Sequence, residues 1–244
     1  CAADFGAPQE RYRAFLVGSR IGSPKPFFPP LKSHYPPSES KREHQLFADY
    51  APGAMPWRTV RDAIADLPEP VGTERREEPS PLDLHFGRSP SPKSELRYRA
   101  VPPGGNRFDL LANAPQLTPD CWVRKTSGGT DLFGRLWWDR PSVPIRTEFF
   151  KPEKGRYLHP VAHRPITHRE AARLQSFPDD FKFVGSKIEV ARQIGNAVPP
   201  LLAEAVARAV LSILTQLAGF EDARTASAIS GTAISMPHEN RRSA

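Results

Sequence analysis

Two cysteines, Cys1 and Cys121, are the only thiols among 244 residues. Their spacing offers neither a disulfide framework nor the close ligand pairs of a zinc site, and it fits a reducing cytoplasm. Long hydrophobic runs are also missing. Mean hydropathy is −0.50, and nothing approaches the roughly 20 apolar residues that a bilayer-spanning helix needs, so no membrane span is expected. No secretory leader pattern stands at the start, and the first residue is not methionine. No internal repeat is present, which excludes a solenoid. Proline, by contrast, is abundant. Its 28 residues are about twice the usual share, and many fall between 24 and 160, which predicts loops there. Lysine and arginine exceed aspartate and glutamate, 34 against 27, for a net charge of +7. With a pI near 9.6, that balance favours a polyanionic partner.

The most informative stretch is residues 164–200, RPITHREAARLQSFPDDFKFVGSKIEVARQIGNAVPP. Thr167 followed three residues later by Glu170 is a capping box that opens a helix. Ala171, Ala172, Leu174 and Gln175 favour helix, and Pro178 ends it. Gly195-Asn196 predicts a turn, after which Pro199 and Pro200 sit where a starting helix tolerates proline. From Leu201 the apolar positions Leu202, Ala205, Val206, Ala209, Val210, Ile213, Leu214 and Leu217 oppose Glu204, Arg208, Ser212 and Gln216. This is an amphipathic helix over 201–217, with Gly219 as its expected C-cap.

Elsewhere the patterns are shorter. Residues 13–17 read as a strand with apolar side chains on both faces, which suits a sheet covered on both sides. Such a strand so near the first residue suggests a truncated domain. Residues 57–67 predict a helix with Val60, Ile64 and Leu67 on one face, Thr59 as cap and Pro68 as stop. Residues 69–105 suggest no regular element. Residues 121–125 and 132–138 read as strands flanking a Ser127-Gly128-Gly129 turn, and 145–150 as another strand. Residues 220–244 lose periodicity and read as a disordered tail.

Three blocks in order now carry a resemblance. Residues 4–18 hold a Gln-x-Arg-x-Arg pattern at Gln9, Arg11 and Arg13. Residues 164–181 and 193–200 follow, the latter containing Gly-Asn-Ala-Val-Pro-Pro. Together they resemble the C-terminal portion of DNA (cytosine-5) methyltransferases, and residues 134–160 resemble what precedes the ninth block in one bacterial subgroup. The resemblance implies an α/β fold: an incomplete Rossmann-like catalytic domain plus a small, loop-rich target-recognition domain. The expected divisions are 1–23, a catalytic-domain strand segment; 24–163, the target-recognition region; 164–219, the conserved helix and the returning catalytic helix; and 220–244, the tail.

The family rotates a cytosine out of duplex DNA, because C5 and C6 are unreachable while the base is stacked. A cysteine thiolate adds to C6, a glutamic acid assists at N3, and C5 takes the methyl group of S-adenosylmethionine. By resemblance, Arg13 would donate to the cytosine O2, and Arg11 would hold neighbouring acidic or phosphate groups. Asn196, Ala197 and Val198 would contact the amino-acid end of the cofactor. Lys125, Ser127, Gly128, Gly129, Thr130 and Arg135 are candidates for contact with double-stranded DNA. The arginines and Glu170 of 164–181 suggest structural ion pairs, Trp137 and Trp138 suggest packing, and the histidines suggest no zinc set. The Phe-x-Gly-x-Gly, Pro-Cys and Glu-Asn-Val blocks of the family are absent, so neither cysteine matches its nucleophile. The expectation is an enzyme part that needs an N-terminal catalytic half, covalent or separate. The alternative is a non-catalytic, sequence-specific DNA-binding module or gene remnant.

Overall fold

The computed structural model describes residues 1–20, 23–37 and 49–230, with side chains described as far as 215. Most of its helices begin where a side chain can satisfy the free backbone N–H groups of a first turn. Helix α1, Val60–Ile64, is closed by a capping box between Thr59 and Asp62. It is the expected helix of 57–67, shorter at both ends. In α2, Pro92–Ala100, Ser91 accepts from Ser94 N–H and Pro92 takes the first position. This helix lies inside 69–105, where no element was expected. Only Tyr98 in it is buried, so it lacks the apolar period that betrays a helix in sequence. Helix α3, Arg107–Asn113, uses an Asn106–Asp109 box, and α4, Asp120–Val123, is a single turn following Pro119.

Helix α5, His168–Leu174, starts on the expected box: Thr167 Oγ1 accepts from Glu170 N–H at 3.1 Å and Glu170 accepts from Thr167 N–H at 2.7 Å. Helix α6, Lys187–Asn196, has a Ser186–Glu189 box of the same kind. Gly195-Asn196 therefore forms the last turn of a helix, and the break falls at Ala197–Pro199. Helix α7, Pro200–Ser230, runs straight through Gly219, so the expected C-cap is not used and the expected tail is helical from 220 to 230. Residues 231–244 lie outside the described residues.

Strands are few. β1, Lys32–Tyr35, pairs in parallel with β2, Tyr50–Pro56, with a register irregularity between Lys32 and His34. This two-stranded sheet is the one named sheet among the described residues. The fold is mixed α/β with one small parallel sheet among the described residues. Residues 13–17 form no strand: among the described residues they have no neighbouring strand, and Tyr12 and Leu16 are 68% and 102% exposed. The strands expected at 121–125 and 132–138 are also absent. The first is α4, and the second is interrupted by a turn in which Phe133 adopts φ 55°, leaving one isolated bridge from Arg135 to Leu158. Residues 147–150 are a turn instead of the expected strand.

By packing, the described chain forms two units, Cys1–Ala14 with Leu31–Glu204, and Phe15–Pro30 with Ala205–Ala244. Within the first, one core joins Val60 and Ile64 of α1, Ala171 and Leu174 of α5, and Val190 and Ile194 of α6 to Leu136, Ile145, Phe149 and Tyr157. A second core holds Tyr98, Val101, Leu110, Phe133 and Leu158, with Trp122 against it. Each large apolar side chain buried this way contributes about 1.5–3 kcal/mol. The second core is small, so polar bonds carry much of the order in the loops around it. In the second unit, Ala209 and Ile213 of α7 are buried while Leu211 and Leu214 are exposed. The apolar stripe is thus narrower than the sequence suggests. No single helix among the described residues is long and apolar enough to cross a membrane.

Candidate functional site

Gln9 and Arg11 are buried and join three distant segments. The Gln9 amide donates to Leu174 O (3.1 Å) and Gln175 Oε1 (2.8 Å), and its Oε1 accepts from Ile145 N–H (3.0 Å). Gln175 in turn donates to Ile194 O at 2.6 Å. Arg11 donates to Ile145 O at 2.7 Å and to Gly195 O at 2.9 Å. Burial, with Arg13 nearby, holds the Arg11 pKa below its ordinary value. The expectation that Arg11 binds acidic or phosphate groups is therefore corrected: its partners are Gln9 and two carbonyls, and it clasps the first block to the last. Gly195 allows this closeness. A Cβ there would lie 2.4 Å from Thr147 N, a contact that backbone cannot yield to.

Arg13, two residues on, is exposed and donates only to Tyr12 O among the described residues, at 2.9 Å. Its charge is available to a ligand. Asn196 and Val198 are exposed and Ala197 is half-buried, where α6 ends and the chain turns into α7. The Asn196 amide has no bonded partner among the described residues, so it offers both a donor and an acceptor.

The helix that follows Arg164 carries the expected ion pairs. Arg164 grips the buried Glu170 with two bonds of 2.9 Å. Arg169 and Arg173 converge on Asp179, at 3.5 and 2.7 Å, with Asp83 and Asp66 as further partners. His168 lies among Phe86, Phe149 and Phe150 and bonds Lys187 O at 2.9 Å. His159 Nδ1 faces the N–H groups of Val161 and Ala162 at 3.3 and 3.0 Å, an arrangement that needs a bare nitrogen there. Burial pushes both histidines down to about 4. Among the described residues no group of histidine, cysteine or carboxylates could hold a metal ion.

These two histidines predict a stability loss on acidification. The unfolded chain takes up their protons near the ordinary histidine value, whereas the folded chain resists until about pH 4. Their contribution is present above about pH 6.5 and is lost as the pH falls toward 4, on the order of 3 kcal/mol each. Urea midpoints measured between pH 7.5 and 4.5 should fall, and His168→Phe should flatten the profile. A profile unchanged by that substitution would contradict the assignment.

Residues 98–162 are organised by buried arginines, which the sequence did not reveal. Arg107, 1% exposed, donates to the carbonyls of Trp122, Lys125, Ser127, Gly128 and Gly129 at 2.6–3.3 Å. Arg135 donates to those of Val101, His159, Ala162 and Tyr98, and burial pulls its pKa to about 10. Arg156 reaches Gly104, Gly105, Thr130 and Arg135 carbonyls and stacks on Trp137 at 3.8 Å. A region with few strands must find donors for its loop carbonyls elsewhere, and these guanidinium groups are the donors. Arg135 is thus corrected from DNA contact to scaffold. Lys125, Ser127, Gly128 and Thr130 are exposed and Gly129 half-buried, on one loop over Arg107. Trp138 packs against the main core, as expected.

Comparison with known proteins finds relatives over most of this chain. The family profile described as C-5 cytosine-specific DNA methylase covers residues 1–212. Type II methyltransferase M1.HphI of Haemophilus parahaemolyticus is 34% identical over 88% of this chain and 47% of its own length. Type II methyltransferase M.NgoFVII of Neisseria gonorrhoeae is 32% identical over 87% and 48%. DNA (cytosine-5)-methyltransferase 1B of Oryza sativa subsp. japonica is 30% identical over 85% of this chain and 16% of its own. The chain spans about half the length of the bacterial relatives. It belongs to the C-5 cytosine-specific DNA methylase family.

Proposed function

We propose that this chain carries the target-recognition region and the closing elements of the catalytic domain of a DNA (cytosine-5) methyltransferase of the type II kind, acting on double-stranded DNA. The observation that carries the reading is the bond from Arg11 to Gly195 O at 2.9 Å. It holds two motif blocks together across the chain, with Arg13 two residues from one side of the clasp and Asn196 next to the other.

In this reading the exposed Arg13 guanidinium donates to O2 of a cytosine rotated out of the duplex, a task suited to permanent charge and rigidly forked donors. Asn196, with the backbone at Ala197 and Val198, receives the amino-acid end of S-adenosylmethionine. When bound, that cofactor supplies an electrophilic methyl group. Lys125 and the exposed loop 127–130 face the DNA. The nucleophile and the N3 acid come from an N-terminal catalytic half, in the same polypeptide or a separate one.

A second reading, a DNA-binding module without catalysis, is supported by the recognition loop being bonded to its own arginine scaffold. Both readings expect this chain to retain duplex DNA, with affinity falling as salt rises. Lys125→Ala should lower the slope of log affinity against log salt by about 0.9, one phosphate contact. An unchanged slope would remove Lys125 from the interface, and failure to bind duplex at low salt would count against both readings.

A further inference from the structure

We infer that the loop 125–130 is a phosphate-binding cradle, built inside out by Arg107, which takes a phosphodiester group of the DNA backbone on its amide N–H groups. The inference rests on the proposed DNA-facing role of this loop and adds the chemistry by which it holds DNA. The carbonyls of Lys125, Ser127, Gly128 and Gly129 all accept from the one buried guanidinium. In a trans peptide the C=O and the N–H that follows point in opposite directions. The N–H groups of Thr126, Gly128, Gly129 and Thr130 are therefore turned away from Arg107. Among the described residues none of these four donates to another protein group. Gly128 and Gly129 adopt φ of 69° and 63°, which lets consecutive peptides share this orientation.

Gly128 itself borders open space: a Cβ added there would meet nothing within 4 Å, whereas one at Gly129 would lie 3.1 Å from Leu132 Cδ1. Successive outward N–H groups form an anion-binding concavity. The Arg107 guanidinium lies behind the loop, bonded to its carbonyl oxygens. Lys125, exposed at its start, adds a mobile cation. A phosphodiester brings two acceptor oxygens and a permanent negative charge to this surface. Bonds of this kind position a protein on DNA without reading sequence.

The test is a titration of the isotopically labelled full chain followed by amide NMR. One arm adds inorganic phosphate and the other a short DNA duplex. The expected result is that the amides of Thr126, Gly128, Gly129 and Thr130 move downfield with duplex. Those shifts should disappear when the contacted phosphate is replaced by a neutral methylphosphonate. If phosphate moves these amides but duplex does not bind, the loop is a small-anion site, and both its inferred hold on the DNA backbone and the DNA-recognition reading fail. If duplex binds and the four amides stay still, the cradle is overturned and the recognition reading survives. Stillness in both arms overturns the cradle outright. Arg107→Met, which keeps side-chain length without the donors, should abolish the shifts and weaken duplex binding about tenfold. The titration of the unaltered chain decides the matter should that variant not fold.

Discussion

Arg13→Ala is expected to reduce turnover of an assembled enzyme by on the order of 10²–10³, the size of loss seen when one preorganised donor to a developing charge is removed. It should change the Kd for duplex DNA far less. The asymmetry follows from where Arg13 stands. Its guanidinium is exposed and bonds only Tyr12 O among the described residues, so truncation leaves no buried group without a partner and the fold should persist. Arg11→Ala is the contrasting case. Removing it frees the carbonyls of Ile145 and Gly195 inside the protein, so activity and stability should fall together. Steady-state kinetics with a parallel binding isotherm separates the two variants. Equal losses of turnover and DNA affinity in Arg13→Ala would argue against a cytosine contact.

Glu170→Ala should destabilise the fold by about 3–5 kcal/mol, the usual cost of breaking one side of a buried ion pair. Burial alone would raise the Glu170 pKa, but Arg164 and the other donors around it outweigh burial and hold it below the ordinary carboxylate value. The same carboxylate closes the α5 capping box through Thr167 N–H. Truncation therefore leaves the Arg164 guanidinium without its fork and opens the start of a helix that feeds the main core. Urea unfolding should show a lower midpoint with an unchanged slope. Glu170→Gln keeps acceptor geometry without the charge and should lose less. A loss under about 1 kcal/mol in Glu170→Ala would place the pair among weak surface contacts.

Helix starts were the legible part of this sequence. The boxes at Thr167–Glu170 and at Thr59 rest on local bonds, and local bonds need only neighbouring residues. The boxes at Ser186–Glu189 and Asn106–Asp109 are equally local, yet neither of the helices they start was among those expected from the sequence. The strands were not legible in this way. Residues 13–17 have the composition of a buried strand, but a strand exists only against neighbours, and among the described residues they have none. Residues 121–125 and 132–138 carry β-forming side chains, yet Pro119, the two glycines and Phe133 set the backbone otherwise.

The site divided along a similar line. Folding brings the residues picked out by motif spacing near one another, since Arg11 bonds Gly195 O, beside Asn196. Spacing does not tell an arginine that meets solvent from one that meets carbonyls, so the tasks of Arg11 and Arg135 were misread. The scaffold role of Arg107 depends on five carbonyls that converge only after folding. Part of the +7 charge that suggested DNA thus lies in the interior, on arginines whose partners are loop peptides.

The most direct measurement of the central claim is methyl transfer by complementation. This chain is expressed together with an N-terminal polypeptide that carries the Phe-x-Gly-x-Gly, Pro-Cys and Glu-Asn-Val blocks, and the pair is supplied with duplex DNA and methyl-labelled S-adenosylmethionine. The account predicts label at C5 of cytosine from the pair and none from either piece alone. A pair that associates and binds DNA yet transfers no label would contradict it and leave the chain as a binding module.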